Sequence, residues 1–396
     1  MTHQVRLEAI AHGGSCVARI DGRVIFVRNG LPGELVEVSI TDSTKDRFWW
    51  GDVAKVIEAS PDRVDPPCPV AFACGGCDFQ HADLAVQREL KAQVIAEQLH
   101  RLAGINWPVE VEYVPGDDPA GSGLGWRTRM RYLVENGRVG LREWRSNNLV
   151  ELPEGGCRIA HPKAKAGLEK FAKGAKELQV CVADSSVSVL DEKNTALSGP
   201  KVVSQTVLGR DYKVRADGFW QVHPLAAEVL SQTVMKFLSP RKGEHALDLY
   251  CGVGLFAGAL TDAGCIVSGI EIAKPAIRMA RQNVPEAKFH AGDMARSLNA
   301  LPRRTDLIVL DPPRSGAGAK VVKRLAMLGA RAICYVACDP AALARDLKTF
   351  FQNGYELRQL RAFDLFPMTH HVEVLALMSG TQMKRDQLQF SCNFSL

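Results

Sequence analysis

Apolar and polar positions alternate in two rhythms along this chain, and the rhythm changes near residue 216. In the first 58 residues the runs are short and strand-like. Val24-Ile25-Phe26-Val27 is followed by the turn signals Asn29-Gly30 and Pro32-Gly33. Residues 35–40 alternate apolar and polar, and 51–57 give a further strand. This pattern predicts a small β-barrel of the OB type, an architecture that binds oligonucleotides in many proteins. Pro61, Pro66 and Pro67 close the zone.

Residues 59–215 read as a mixed α+β zone. A helix is predicted over 83–102. A hairpin is predicted where 126–132 runs into Asn136-Gly137. From 216 to 380 apolar strands alternate with helices. Strands are expected at 245–250, 266–272, 287–293, 306–311 and 332–338, with helices at 255–263, 275–283 and 317–328. Such alternation predicts an α/β, Rossmann-like unit with a mostly parallel sheet and helices on both faces. Two last strands, 355–360 and 372–378, are too closely linked for a helical crossover and should pair antiparallel at the sheet edge. Residues 381–396 read as a C-terminal tail.

Composition narrows the class. The 396 residues are 46% hydrophobic and 23% charged, with a net charge of +5, which permits a nucleic-acid partner. No apolar run reaches the ~20 residues of a membrane span. The N-terminus lacks a basic start followed by an apolar core. A cytoplasmic protein without a membrane partner, acting as a monomer, is expected. Residues 1–58 hold seven Lys/Arg against eight Asp/Glu, so charge alone does not assign RNA to the barrel. Residues 126–145 hold six arginines against two acids, and period two puts Arg127, Arg129 and Arg131 on one face. Phosphate contact is the functional reading; a solvated sheet face is the bland one.

The candidate chemistry lies at strand ends, where open parallel sheets bind ligands. Asp248-Leu249-Tyr250-Cys251-Gly252-Val253-Gly254 ends the first strand of the α/β unit, and its glycines let backbone approach a ligand. Glu271 ends the second strand, placed for ribose hydroxyls. Asp293 ends the third, near an adenine amino group, and Asp311 ends the fourth in Asp311-Pro312-Pro313. Gly252-x-Gly254-x-x-Ala257 also fits a dinucleotide fingerprint. Asp248 before the glycine turn and the Asp-Pro-Pro stop favour S-adenosylmethionine. Cys338 ends the fifth strand, and Pro340 starts a helix behind it, so a depressed thiol pKa is expected. A thiolate there suits addition to C6 of uracil, which makes C5 nucleophilic. Glu373 begins the last strand and is the candidate base for the C5 proton, with a pKa raised by desolvation. Cys68, Cys74 and Cys77 are spaced C-x5-C-x2-C, and Cys157 is a candidate fourth ligand. Four thiolates suit zinc or an iron–sulfur cluster, and the spacing leaves both open.

Together these residues resemble the bacterial RNA 5-methyluridine (m5U) methyltransferase family, and the resemblance spans nearly the whole chain. It implies that the N-terminal barrel is a TRAM domain and that the four cysteines hold a [4Fe–4S] cluster, with zinc the lesser choice. Phe219-Trp220-Gln221-Val222 resembles the family's F-x-Q-V segment, which implies that Gln221 touches S-adenosylmethionine. Tyr250, Glu271, Asp293 and Asp311 match its cofactor positions, Cys338 its nucleophile and Glu373 its base. His223, Asp339 and Leu255 stand where the family usually has asparagine. Members with both barrel and cluster point to ribosomal RNA of the large subunit (23S rRNA), with the transfer-RNA T-loop as the alternative. The rival readings are a non-catalytic RNA-binding or redox-sensing protein, an amino-methyltransferase and a nicotinamide oxidoreductase. Arg314 after the two prolines, where amino-methyltransferases need an aromatic, speaks against the second.

Overall fold

The computed structural model describes residues 2–114, 121–297 and 301–380; the expected tail, 381–396, lies outside the described residues. Five strands build the N-terminal barrel: Thr2–Arg6, Cys16–Ile20, Arg23–Arg28, Leu35–Asp42 and Phe48–Glu58. Their order is first, fourth, fifth, third, second. The chain beyond the first strand turns across to the second and closes the ring. There the Glu8 amide donates to Val17 O and the Val17 amide to Ala9 O, both at 2.8 Å. Val36 and Val38, Ile25 and Val27, and Cys16 and Ala18 point inward, as period two requires. Asn29 (φ 64°) and Gly33 (φ 86°) take the left-handed turns that their residue types signalled.

The central unit is an antiparallel six-stranded sheet. Its hairpin pairs Arg129–Glu135 with Arg138–Arg142 across Asn136-Gly137. Both turn residues have positive φ, the type I′ geometry that Asn-Gly favours.

The C-terminal unit is an eight-stranded sheet with helices on both faces. Its order is Lys288–Ala291, Ile266–Glu271, His245–Leu249, Leu307–Leu310, Ala332–Ala337, Glu373–Gly380, Tyr355–Asp364 and Val111–Tyr113. The first five run parallel. Successive residues feed opposite cores: Leu307 and Val309 face Ala226–Leu238 and Leu255–Asp262, while Ile308 and Leu310 face Ala319–Ala326 and Pro340–Gln352.

Two expectations need correction. The last two strands are antiparallel to each other, but they do not form the edge; Val111–Tyr113 adds beyond them, parallel to Tyr355–Asp364. Core membership also crosses the boundary expected at 215. The helix Leu84–Gln98 lays Ile95 against the α/β core, and the hairpin Val202–Val207 with Arg210–Arg215 buries Tyr212 and Val214 there. A boundary read from proline runs and rhythm does not register which apolar face covers which sheet.

Candidate active site

Register brings Cys338 and Glu373 together. Ala332–Ala337 and Glu373–Gly380 are antiparallel neighbours, with Ala337 opposite Val374. One step further on, Cys338 leaves one strand where Glu373 opens the other. The last strand runs against its neighbour, so its first residue meets the neighbour's end at the ligand-binding mouth. Glu373 is 4% exposed. Burial and the nearby Asp311 hold its carboxyl well above the ordinary range, with Arg314 pulling the other way. This is the direction expected of a base.

The expectation for Cys338 is overturned. Burial, then Glu373 and Asp311, push its thiol up to about 11, against the pull of Arg314. Helix proximity favours a thiolate, but desolvation beside two carboxylates outweighs it.

A rim of acids surrounds the glycine turn. Glu271 accepts from the Gly252 amide at 3.2 Å and the Ala273 amide at 2.7 Å. Tyr250 sits at φ 62°, a conformation rare outside glycine and typical of constrained site loops. A side chain at Gly252 would point into open space, whereas one at Gly254 would press on Val284 and Phe289. Burial, with Glu271 beside it, pushes Asp311 up to about 7. Asp293 accepts from the Arg296 amide at 3.1 Å. Asp248 stands apart from these acids. It is fully buried beneath the turn, accepts from the Ala257 amide at 2.8 Å, and is pushed up to about 8 by burial. It supports the glycine loop from below.

Gln221 lies in a segment pinned by the central hairpin. The Thr128 amide and hydroxyl both donate to Val222 O, at 2.9 and 2.8 Å. Arg129, expected on a phosphate-binding face, donates inward to Ala216 O and Gly218 O. Arg131 and Arg142 share Glu177, and Arg138 pairs with Glu151. The hairpin therefore spends much of its charge internally. His223 stacks near Trp126, and Leu255 is buried in the core.

Cys68, Cys74, Cys77 and Cys157 all line one cavity of about 510 Å³. Among the described residues, no three His, Cys, Asp or Glu side chains gather closely enough for a single metal ion. Burial pushes the Cys74 thiol up to about 11 and raises Cys77 and Cys157 as well.

Five contacts are not apparent from the sequence. Asp78, the neighbour of Cys77, accepts from His370 Nδ1 at 2.6 Å. The His370 and His371 rings lie 4.1 Å apart, and His371 Nε2 meets Arg314 Nη2 at 3.2 Å. Burial, then His370 and Arg314, push His371 down to about 3, so it stays neutral beside the guanidinium. Lys91 and Asp364 form a fully buried pair at 2.6 Å. His12 of the barrel reaches Asp339 at 3.0 Å. All but the His370–His371 ring contact join residues remote in sequence, and only the Asp-Pro-Pro-Arg string hinted at Arg314.

Comparison with known proteins places this arrangement. The TRAM domain model matches residues 2–48, the methyltransferase small domain matches 226–333, and the tRNA (Uracil-5-)-methyltransferase model matches 302–381. An uncharacterized RNA methyltransferase of Streptomyces avermitilis is 44% identical over 95% of this chain and 98% of the relative. One from Bifidobacterium longum is 36% identical over 96% and 97%. The fold is also that of the Pyrococcus abyssi tRNA (uracil-54, C5)-methyltransferase, solved with S-adenosyl-L-homocysteine. Its TM-score is 0.72 at 23% identity, over 95% of this chain and 99% of that one. Fold and site define an α/β methyltransferase with an N-terminal TRAM domain. The chain belongs to the RNA methyltransferases of the tRNA (uracil-5-)-methyltransferase family.

Proposed function

We propose that the protein methylates C5 of uridine in RNA, using S-adenosylmethionine and a covalent intermediate on Cys338. The observation that carries this reading is the cross-strand meeting of Cys338 and Glu373 under Arg314, with Asp311 alongside. A buried thiol and a buried carboxyl side by side suit a reaction that needs a nucleophile first and a base second. Cys338 gives up its proton to solvent and its thiolate adds to C6 of the ring, which makes C5 the nucleophile. S-adenosylmethionine, when bound, supplies the methyl group that C5 takes up. Glu373 then removes the C5 proton, the C5–C6 double bond re-forms, and the sulfur leaves C6. Arg314 offsets the negative charge that develops on the thiolate and the ring.

The acid rim fits a cationic methyl donor. Glu271 raises the cost of ionising Asp311, which a sulfonium and an ammonium would relieve. Gln221, Tyr250, Glu271, Asp293 and Asp311 would hold the donor. The cavity beside Cys338 has a volume of about 120 Å³, narrow enough that the target base must leave its stack to enter. The barrel and cysteine loop favour 23S ribosomal RNA, with transfer RNA as the alternative. The protein would meet either RNA in the cytoplasm, acting as a monomer.

For the four cysteines we propose a [4Fe–4S] cluster. Four thiols face one cavity, a donor set that accepts zinc or a multi-iron cube, and the family resemblance favours the cube. Protein purified without oxygen should carry about four irons and matching sulfide per chain, with visible absorption that Cys157→Ala removes. Stoichiometric zinc would overturn the assignment.

The function is tested with RNA from cells that lack 5-methyluridine and with labelled S-adenosylmethionine. Ribosomal and transfer RNA are separated, and the labelled nucleoside is identified. Label in 5-methyluridine, absent with Cys338→Ala, supports the reading and names the RNA. Label in another nucleoside, or label that survives Cys338→Ala, overturns it.

A further inference from the structure

The barrel reaches the catalytic pocket. Between its first two strands, the Ala11 amide donates to Ser15 O at 2.8 Å and the Gly14 amide to Ala11 O at 3.1 Å, forming a tight tip. That tip lines the cavity of Cys338 with His12, Gly13 and Gly14. His12 Nε2 lies 3.0 Å from Asp339 Oδ2. Asp339 is the residue after the nucleophile, and its other oxygen accepts from the Ala342 amide at 2.7 Å, capping the helix Pro340–Gln352. One carboxylate thus serves two masters: the helix that follows Cys338 and the loop of a separate domain. Burial opposes its ionisation, but the His12 imidazole and the Ala342 amide outweigh it and hold its pKa below the ordinary value.

The tip also presses on the opposite wall. Gly14 has φ 83°, and a Cβ built there would stand 2.8 Å from His370 Cβ and 3.3 Å from Asp78 Cβ. The backbone is therefore seated against the His370–Asp78 pair with no room for a side chain. Along the pocket, His12 touches the nucleophile's side and Gly14 touches the side that leads to Glu373.

We infer that the barrel takes part in the chemical step: through the His12–Asp339 contact and the seat of Gly14 on His370, its tip closes the pocket and fixes the geometry of Cys338 and Glu373. His12 is on this account a positioning residue, acting through Asp339. The inference rests on the proposed role of Cys338. It explains why aspartate stands at position 339, since an anion capping the helix also attracts His12.

The test compares wild type, His12→Ala, His12→Gln and Gly14→Ala, each as the full chain. Single-turnover methylation and RNA affinity are measured separately. Alkylation of Cys338 by iodoacetamide is followed by mass spectrometry. His12→Ala should lower the methylation rate about tenfold, as small misplacement of a reacting group does, with RNA affinity unchanged. His12→Gln, which keeps a donor, should regain most of that rate. Gly14→Ala, which forces the tip outward, should mimic His12→Ala, and both should speed Cys338 alkylation. Loss confined to RNA affinity would make the barrel a binding module only and overturn the inference. Unchanged rates would overturn it as well. If wild type itself transfers no methyl group, the proposed function fails separately. The alkylation arm then decides alone, and equal alkylation of wild type and His12→Ala overturns the inference.

Discussion

Asp311 and Cys338 show how far a side chain's chemistry depends on neighbours that sequence does not place beside it. Asp311 is pushed up to about 7 by burial and by Glu271. A carboxyl with a raised pKa keeps its proton until the pH passes that value, and a cationic ligand favours the ionised form. S-adenosylmethionine affinity should therefore rise with pH through about 7, with protons released on binding. S-adenosylhomocysteine, which lacks the sulfonium charge, should show a shallower rise, and Asp311→Asn should flatten it. Calorimetry in two buffers of different ionisation heat measures this; equal slopes for both ligands would disprove the charge argument. At Glu373 the expected result is kinetic. Glu373→Gln leaves the C5 proton in place, so a covalent Cys338–RNA adduct should persist on a denaturing gel, and Cys338→Ala should form none. The positions of Asp311 and Cys338 at strand ends were legible because apolar runs mark the strands. The direction of the thiol shift was not, because Asp311 and Arg314 from one segment and Glu373 from another, about 60 residues later, converge on Cys338.

Individual elements are held by contacts that span the chain. Helix Leu84–Gln98 is fixed to the strand Tyr355–Asp364 by Lys91, which donates to Asp364 at 2.6 Å with neither side chain in water. Lys91→Met strands a buried carboxylate and should cost about 3–5 kcal/mol, whereas adding Asp364→Leu should recover most of it. Chemical denaturation of the three proteins tests this; equal losses in the single and double variants would refute it. The strand His245–Leu249 is tied to the helix Leu255–Asp262 by Asp248. Its folded pKa, about 8, lies above its unfolded value, so the folded state binds the extra proton. This contribution is fully present at low pH and is lost as pH rises through about 8. Asp248→Asn should weaken that decline in urea unfolding compared between pH 5 and 8. Sequence rhythm located nearly every element of the α/β unit, because apolar runs and glycine turns mark them locally. It missed the helix Ala226–Leu238 and also the edge strand Val111–Tyr113, whose three residues carry no rhythm of their own.

Over the whole molecule the three units share one centre. Asp78 and Phe79, just past the cysteine loop, donate their amides to Met368 O, both at 3.0 Å, and Met368 leads into His370 and Glu373. Stripping the proposed cluster with a chelator should therefore loosen more than the loop. Hydrogen exchange at residues 368–373 should rise together with exchange at 68–78, while the distant strand Ile266–Glu271 stays protected. Exchange confined to 68–78 would show that the loop is isolated. Nothing in the sequence links the cysteines to Cys338, since Asp78, His370 and Arg314 stand far apart in the chain.

The edge strand carries a consequence for how the protein is made. Helix Leu84–Gln98 and Val111–Tyr113 leave the ribosome early, yet the strand that receives them, Tyr355–Asp364, is synthesised about 250 residues later. At cellular elongation rates that is a wait on the order of ten seconds or more. Leu90 can pack on the barrel already made, but during that wait the face that carries Ile95 has no sheet to cover it. Vectorial folding therefore cannot finish the N-terminal portion first. The nascent chain must carry an exposed apolar helix until its end is nearly complete, and chaperone capture should fall in this interval.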